Sequence, residues 1–227
     1  MQNYLRVTLA IVYFISSCLV VAQEQASSSP PVQPFEFKSK QTLRDSDHWV
    51  QLDETSEVEI MRGGDGASLR LSKGTRLRSR DVASYPEVLE LEAVWKHLSP
   101  EGAMGFGWID FSTSTYYYLY FDAGKERLGL QRGDSKGSVL LMETPLSRSD
   151  RSRKYGIRAS VERGTRVKLE VLVDGAMVGE PVTDTLEKGL GSTYQIYAGS
   201  GAEATVELEE ISTIPAGVRK AGGNWFW

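Results

Sequence analysis

The sequence predicts an all-β fold, a two-sheet antiparallel sandwich of the jelly-roll kind, and three observations predict it. Apolar-alternating segments recur from Trp49 to Ile211 at nearly regular spacing. Clusters of Gly, Asp, Ser and Pro separate them at almost every step. No stretch of the same region carries a convincing helical period. Strands of this one-sided kind leave an apolar sheet face that has to be covered, and a second sheet covers it.

The clearest local signal is Tyr155 to Val182, YGIRASVERGTRVKLEVLVDGAMVGEPV, which reads as three antiparallel strands in a row. Tyr155, Ile157, Ala159 and Val161 alternate with Arg158, Ser160 and Glu162, and Val167, Leu169, Val171 and Val173 alternate with Lys168 and Glu170. Arg163-Gly164-Thr165 joins the first two strands. Asp174-Gly175 joins the next pair: both central residues of a type I′ turn need a positive φ, which Asp and Gly tolerate. That turn sets Val173 against Ala176 and Leu172 against Met177. Val171, Val173, Ala176 and Val178 then belong to the core face.

Before this stretch, strands are expected at Trp49 to Leu52, Val58 to Met61, Ser68 to Leu71, Thr75 to Arg80, Val88 to Lys96, Met104 to Phe111, Tyr116 to Phe121, Arg127 to Gln131 and Ser138 to Met142. After it come Tyr194 to Ala198 and Thr205 to Ile211. The separators include Gly63-Gly64-Asp65-Gly66, Lys73-Gly74, Ser99-Pro100-Glu101-Gly102, Asp122-Ala123-Gly124, Gly133 to Gly137 and Gly199-Ser200-Gly201.

Residues 1–22 read as a secretory signal peptide, in which Arg6 precedes an apolar run closed by the small Ala22. The run is short for a membrane span, so an uncleaved anchor is the lesser reading. Ile15-Ser16-Ser17-Cys18 also fits a bacterial lipobox, which would leave Cys18 as a lipidated first residue. Cleavage after Ala22 is favoured because the apolar run continues through Leu19, Val20 and Val21. The expected location is secreted or periplasmic, with a lipid-anchored envelope protein as the alternative. Residues 23–34, rich in Ser, Pro and Gln, form a flexible spacer. Residues 35–215 form one sandwich domain, a length that suits a single core. Residues 216–227, AGVRKAGGNWFW, form an aromatic tail that either covers its own domain or docks on a partner.

The chain of 227 residues carries 26 basic and 30 acidic side chains, formally −4. That balance argues against nucleic acid as a partner. Cys18 is the only cysteine, so the folded part has neither a disulfide nor a cysteine metal site.

Phe106 to Arg132, FGWIDFSTSTYYYLYFDAGKERLGLQR, followed by the Val-Asp-Gly strand ending at Gly175 and the closing YQIYAGSGAEATVELEEI of Tyr194 to Ile211, resembles the concanavalin A-like (laminin-G-like) lectin/glucanase superfamily. A narrower similarity, on the Val-Asp-Gly and closing strands, is to 3-keto-disaccharide hydrolase-like domains. The resemblance implies a jelly-roll fold and a place among lectins, adhesion modules, glycoside hydrolases and polysaccharide lyases. It chooses between none of these.

Alternation assigns faces. In Met104 to Phe111 the inward set is taken as Gly105, Gly107, Ile109 and Phe111, leaving Met104, Phe106, Trp108 and Asp110 outward. Tyr116, Tyr118 and Tyr120 are outward, as are Arg127, Gly129 and Gln131. Phe106, Trp108, Tyr118 and Tyr120 beside Asp110, Arg127 and Gln131 would then form a sugar site, since pyranose rings stack on aromatic faces while their hydroxyls take polar partners. The competing reading packs these aromatics for structural reasons.

Catalytic candidates are Glu90 and Glu92, which share one strand face, and Asp110. A glycosidase needs two carboxylates across the scissile bond, whereas Glu-x-Glu on a strand more often marks a solvated face. His48 and His97 supply too few ligands for a histidine metal site. No cofactor is expected, and no calcium loop is present, so calcium would depend on scattered acids such as Asp65 or Asp134. Arg76, Arg78 and Arg80 share one strand face and Arg148, Arg151, Arg153 and Lys154 crowd one loop. Either group could meet an anionic polysaccharide; otherwise the first is a charged edge strand and the second a solvated loop. The favoured function is a binding module for carbohydrate or another envelope component, without chemistry of its own, and a glycoside or polysaccharide hydrolase of the same fold is the alternative.

Overall fold

The computed structural model describes residues 49–52, 58–63, 66–80, 82–110, 112–162 and 164–214. The signal segment with Cys18, the spacer, His48, Asp65, Phe111, Arg163 and the aromatic tail lie outside the described residues, as do the expected domain boundaries.

The described chain forms β1 (Trp49–Gln51), β2 (Val58–Gly63), β3 (Gly66–Leu71), β4 (Arg76–Ser79), β5 (Ala83–Ser84), β6 (Val88–His97), β7 (Ala103–Asp110) and β8 (Thr115–Asp122). It continues with β9 (Arg127–Asp134), β10 (Gly137–Pro145), β11 (Arg153–Glu162), β12 (Arg166–Val173), β13 (Ala176–Met177), β14 (Val182–Thr185), β15 (Thr193–Ser200) and β16 (Val206–Ile214). Two eight-stranded sheets result. The first runs β1-β4-β15-β7-β8-β9-β10 with β5 on β15, and the second runs β13-β12-β11-β6-β16-β3-β2 with β14 on β12. Every expected strand is present. The two-residue β5 and the four-residue β14 were not expected, being too short to show a period.

The apolar stripes meet between the sheets. Leu77, Phe106, Trp108, Leu119, Leu128 and Ile196 from the first pack with Leu91, Trp95, Ile157, Leu169, Leu208 and Ile211 from the second. At one end the layers are tied by polar groups as well. Asp184 of β14 accepts hydrogen bonds from the Tyr117 hydroxyl at 2.7 Å and from Arg132 Nη1 at 2.9 Å, so its buried carboxylate is met by a charge and a donor from the opposite sheet.

The turn at Asp174-Gly175 has φ of 51° and 81° at its two central residues, the type I′ arrangement, and its ladder pairs Val173 with Ala176 and Leu172 with Met177. Val171 and Val173 are in the core and Val178 packs against it. Ala176 is exposed instead of buried, because β13 stops after two residues and nothing continues the face beyond it. β4 lies between β1 and β15, so its arginines are not on a protective edge.

Gly175→Val should destabilise the fold by roughly 1–2 kcal/mol or more, since a β-branched residue at positive φ is strained. Asp174→Asn should be nearly silent, because Asn-Gly serves the same turn. Chemical denaturation of the two variants side by side checks this; equal small shifts would contradict the turn.

Candidate functional site

Tyr116, Tyr118 and Tyr120 alternate along β8 with Tyr117, Leu119 and Phe121, which are in the core, so the first three project from the outer face of the first sheet. Register decides what they meet. Tyr116 lies opposite Gly133 and Tyr120 opposite Gly129 on β9, with Tyr118 opposite Gln131 between them. On β7, Tyr118 lies opposite Gly107 and Tyr120 opposite Gly105.

The glycines are there because the rings occupy the space of their missing side chains. A Cβ on Gly133 would stand 1.9 Å from Tyr116 Cζ, one on Gly129 2.3 Å from Tyr120 Cζ, and one on Gly105 2.5 Å from Tyr118 Cζ. Tyr118 therefore leans diagonally onto β7 while its two neighbours lie across β9. Tyr197 of β15 stacks on Tyr118 with centroids 5.4 Å apart and planes 10° from parallel, and Tyr120 follows at 6.5 Å and 21°. The Tyr197 hydroxyl donates to the Tyr117 carbonyl across β7 at 3.2 Å.

The outer face is thus a run of nearly parallel tyrosine rings. Tyr118, Tyr120 and Gln131 are half-buried, and Tyr116 and Tyr197 are buried. Burial, assisted by Glu143 and Asp122, pushes the Tyr120 hydroxyl up to about 12. Burial does the same at Tyr116, also to about 12. Both phenols stay protonated donors through the neutral range. At the Tyr120 end, Arg127 forms an ion pair with Glu143, and Lys125 Nζ lies 2.7 Å from Asp122.

Of the residues expected to bind, Tyr118, Tyr120, Arg127 and Gln131 share this face. Phe106, Trp108 and Asp110 do not. Phe106 is 1 % exposed, Trp108 and Asp110 are 0 % exposed, and Phe106 and Trp108 point into the core with Met104. The facing expected for β7 is therefore reversed. Gly105 faces outward beneath the Tyr118 ring, and a Cβ on Gly107 would stand 1.9 Å from the Tyr117 carbonyl oxygen, which sends the bulky alternates inward. Ile109 stays outside, packed with Tyr116 and Tyr197.

Asp110 has a structural task. Its carboxylate accepts from Ser112 Oγ at 2.7 Å and Thr113 N at 3.0 Å, closing the β7–β8 turn, and from Gly191 N, binding in a distant loop.

Glu90 and Glu92 sit on the outer face of the other sheet. Arg158 Nε is 3.1 Å from Glu90, its Nη1 is 2.8 Å from Glu170, and Lys154 Nζ is 3.2 Å from Glu92. The two carboxylates are neutralised in a cross-strand lattice, and the whole sandwich lies between them and the tyrosine face. The three catalytic candidates do not share a cleft. Among the described residues, no three His, Cys, Asp or Glu side chains converge as a metal would require.

Tyr116, Tyr197, Gly105, Gly107, Gly129, Gly133 and Glu143 were not singled out as site residues. Tyr-x-Tyr-x-Tyr next to Gly-x-Gly on one side and Gly-x-x-x-Gly on the other carried the signal. It becomes legible only when the strands are laid in register.

Gly129→Ala should force the Tyr120 ring off its seat and cost about 1–3 kcal/mol as overpacking. Gly124→Ala, whose Cβ would meet nothing closer than 3.6 Å, should be mild. Unfolding midpoints of the pair check the seating. His97 gives a pH test. Its ring is buried, Nδ1 lies 3.1 Å from the Ser99 carbonyl and Nε2 has no partner, so burial holds its pKa below the usual value. Protonation then favours the unfolded chain. Stability should fall as pH drops below about 6.5, the unfolded value, until pH passes the lower folded value. In His97→Gln the loss between pH 7 and pH 5 should be smaller than in the parent, as read by denaturant titration at both pH values.

No family model matches the chain, and no curated protein matches it in sequence. Solved structures do match in fold. The carbohydrate binding module CBM66 from Bacillus subtilis is similar at 16% identity over 73% of this chain and 94% of its own, with a TM-score of 0.50. A Bacillus licheniformis β-glucanase is similar at 13% identity over 81% and 99%, TM-score 0.51. A Bacteroides ovatus mixed linkage glucan GH16, in complex with a product, is similar at 10% identity over 75% and 96%, TM-score 0.54. Element order, two antiparallel sheets and these likenesses agree: the chain has the concanavalin A-like jelly-roll fold.

Proposed function

We propose that this chain is a carbohydrate-binding module without chemistry of its own, exported by the segment that ends at Ala22. The observation that carries the reading is the run of tyrosines seated over glycines on the outer face of the first sheet, with Gln131 and the Arg127–Glu143 pair beside it. Tyr118 and Tyr120 keep part of their rings open to solvent, and a pyranose places its C–H face on such an aromatic surface while its hydroxyls take side-chain donors and acceptors. Pre-positioned rings give up little rotamer entropy on binding. The names of the similar structures, a carbohydrate binding module and glucanases, support the same ligand class.

The carboxylates support binding over hydrolysis. Hydrolysis needs one protonated and one ionised acid across the bond. On the tyrosine face Asp122 and Glu143 are each engaged by a cation.

The test is binding of the purified chain to a panel of soluble polysaccharides by affinity electrophoresis or calorimetry, with release of reducing ends measured in parallel. Tyr120→Ala and Tyr118→Ala should each weaken binding about tenfold, about 1.4 kcal/mol. Trp108→Ala should act on stability instead, by about 3–5 kcal/mol. Binding untouched by both tyrosine variants would remove the face from consideration, and polymer cleavage would make the chain a hydrolase.

A further inference from the structure

We infer that the polymer held on the tyrosine face is anionic, and that a sugar carboxylate is read by Arg78; this rests on the carbohydrate-binding reading above. Arg78 lies on β4 opposite Val50 of β1 and Tyr197 of β15. Its neighbours Leu77 and Ser79 are buried, which turns Arg78 to the outer face. There it stands one strand spacing, about 4.8 Å, from the tyrosine that begins the stacked run.

Arg78 differs from four other strand arginines. Arg70, Arg127, Arg132 and Arg158 each meet a carboxylate: Glu59, Glu143, Asp184, and Glu90 with Glu170. Arg78 is half-buried, and its Nε is withdrawn from solvent with no acceptor. Among the described residues no carboxylate pairs with it. The reason is where the acids lie on this face. Asp122 and Glu143 are at the far, Tyr120 end, already engaged by Lys125 and Arg127. Around Arg78 the outward positions are Val50, Arg76, Gln195, Tyr197 and Gly199, with no acid among them. Gln195 is occupied, its Nε2 donating to the Ser79 and Arg80 carbonyls at 3.1 and 3.0 Å.

Among the described residues, the Tyr197 end of the run therefore presents Arg78 with no acid beside it, in a chain whose formal charge is −4. A partly desolvated guanidinium without a counter-charge is costly, and a ligand that supplies the anion removes that cost. The planar fork of an arginine matches a carboxylate bidentately. A uronic acid ring placed over the half-buried Tyr118, at the Tyr197 end of the run, carries its carboxylate at the ring edge, toward β4. Neutral glucose polymers offer nothing to this end of the face.

The experiment compares polygalacturonate, its fully methyl-esterified form and a neutral dextran on the parent chain, Arg78→Gln, Arg78→Lys and Tyr120→Ala. The parent should bind the acid form at least tenfold more tightly than the ester or dextran, with the advantage shrinking as salt rises. Arg78→Gln should bring the acid form down to the ester's level, leaving ester binding unchanged and thermal stability no lower than the parent's, and Arg78→Lys should fall between. Equal binding of acid and ester, or equal weakening of both by Arg78→Gln, overturns the inference. In that case, neutral binding still lost in Tyr120→Ala leaves the tyrosine face standing as the site. Binding of none of the three polymers overturns the inference and, for these polymers, the reading beneath it.

Discussion

The seating of tyrosine rings over glycines on adjacent strands is the constraint on which the first sheet depends. Tyr116, Tyr118 and Tyr120 each need a position without Cβ one strand away, and Gly133, Gly105 and Gly129 supply it. A one-residue slip of β7 or β9 would put a side chain under a ring and turn the whole strand over. The same contact therefore fixes register, directs Met104, Phe106 and Trp108 into the core, and lays the aromatic surface outside. Glycine, normally a weakness within a strand, is covered here by a neighbour's ring, which shields the ladder hydrogen bonds from water.

The two outer faces solve the problem of solvent exposure differently. The second sheet uses charge: Glu90, Arg158 and Glu170 run across three strands, with Lys154 on Glu92 and Lys168 on Glu170. Glu90, Glu92 and Glu170 each have a base beside them, so the charges of this lattice are balanced. The first sheet uses rings and glycines, and its charges are segregated toward the ends. Asp184 joins the layers, reaching from a short strand of the charged sheet to Tyr117 and Arg132 of the aromatic one. Tyr117 is thus fixed by its hydroxyl on the inside, while Tyr116 and Tyr118 on either side of it point out.

Most of the fold was legible in the residues. Period-two alternation found the long strands, and Asp174-Gly175 set its hairpin register. The candidate site was legible by half. Tyr118, Tyr120, Arg127 and Gln131 came out on one face because β8 and β9 alternate cleanly between large inward and polar or small outward positions. β7 does not. Both of its alternating sets contain large apolar residues, Met104, Phe106 and Trp108 in one, Ile109 and Phe111 in the other, and hydrophobic period alone cannot say which is core. The answer lay in the partner strand, whose Tyr118 ring excludes a side chain from Gly105 and whose backbone at Tyr117 excludes one from Gly107. Glu90 and Glu92 were found on one face as expected, but that face belongs to the opposite layer from Asp110, and layer membership is a property of topology, not of local pattern.

The topology also orders events in time. β15 is held between β4 and β7 in one sheet, and β16 between β3 and β6 in the other. The last two described strands are therefore interior strands of both layers. A nascent chain ending anywhere before Tyr194 has two split sheets, each with a gap lined by unpaired backbone and apolar side chains such as Trp108 and Trp95. The ladders to β3, β4 and β6 that close them span more than a hundred residues, as between Thr75 and Ser200. Such a chain cannot settle from its N-terminus as it emerges, and its folding is slow for its size. β16 is the strand that pairs with both β3 and β6, so removing it alone takes away the ladder on which each of them closes the second sheet.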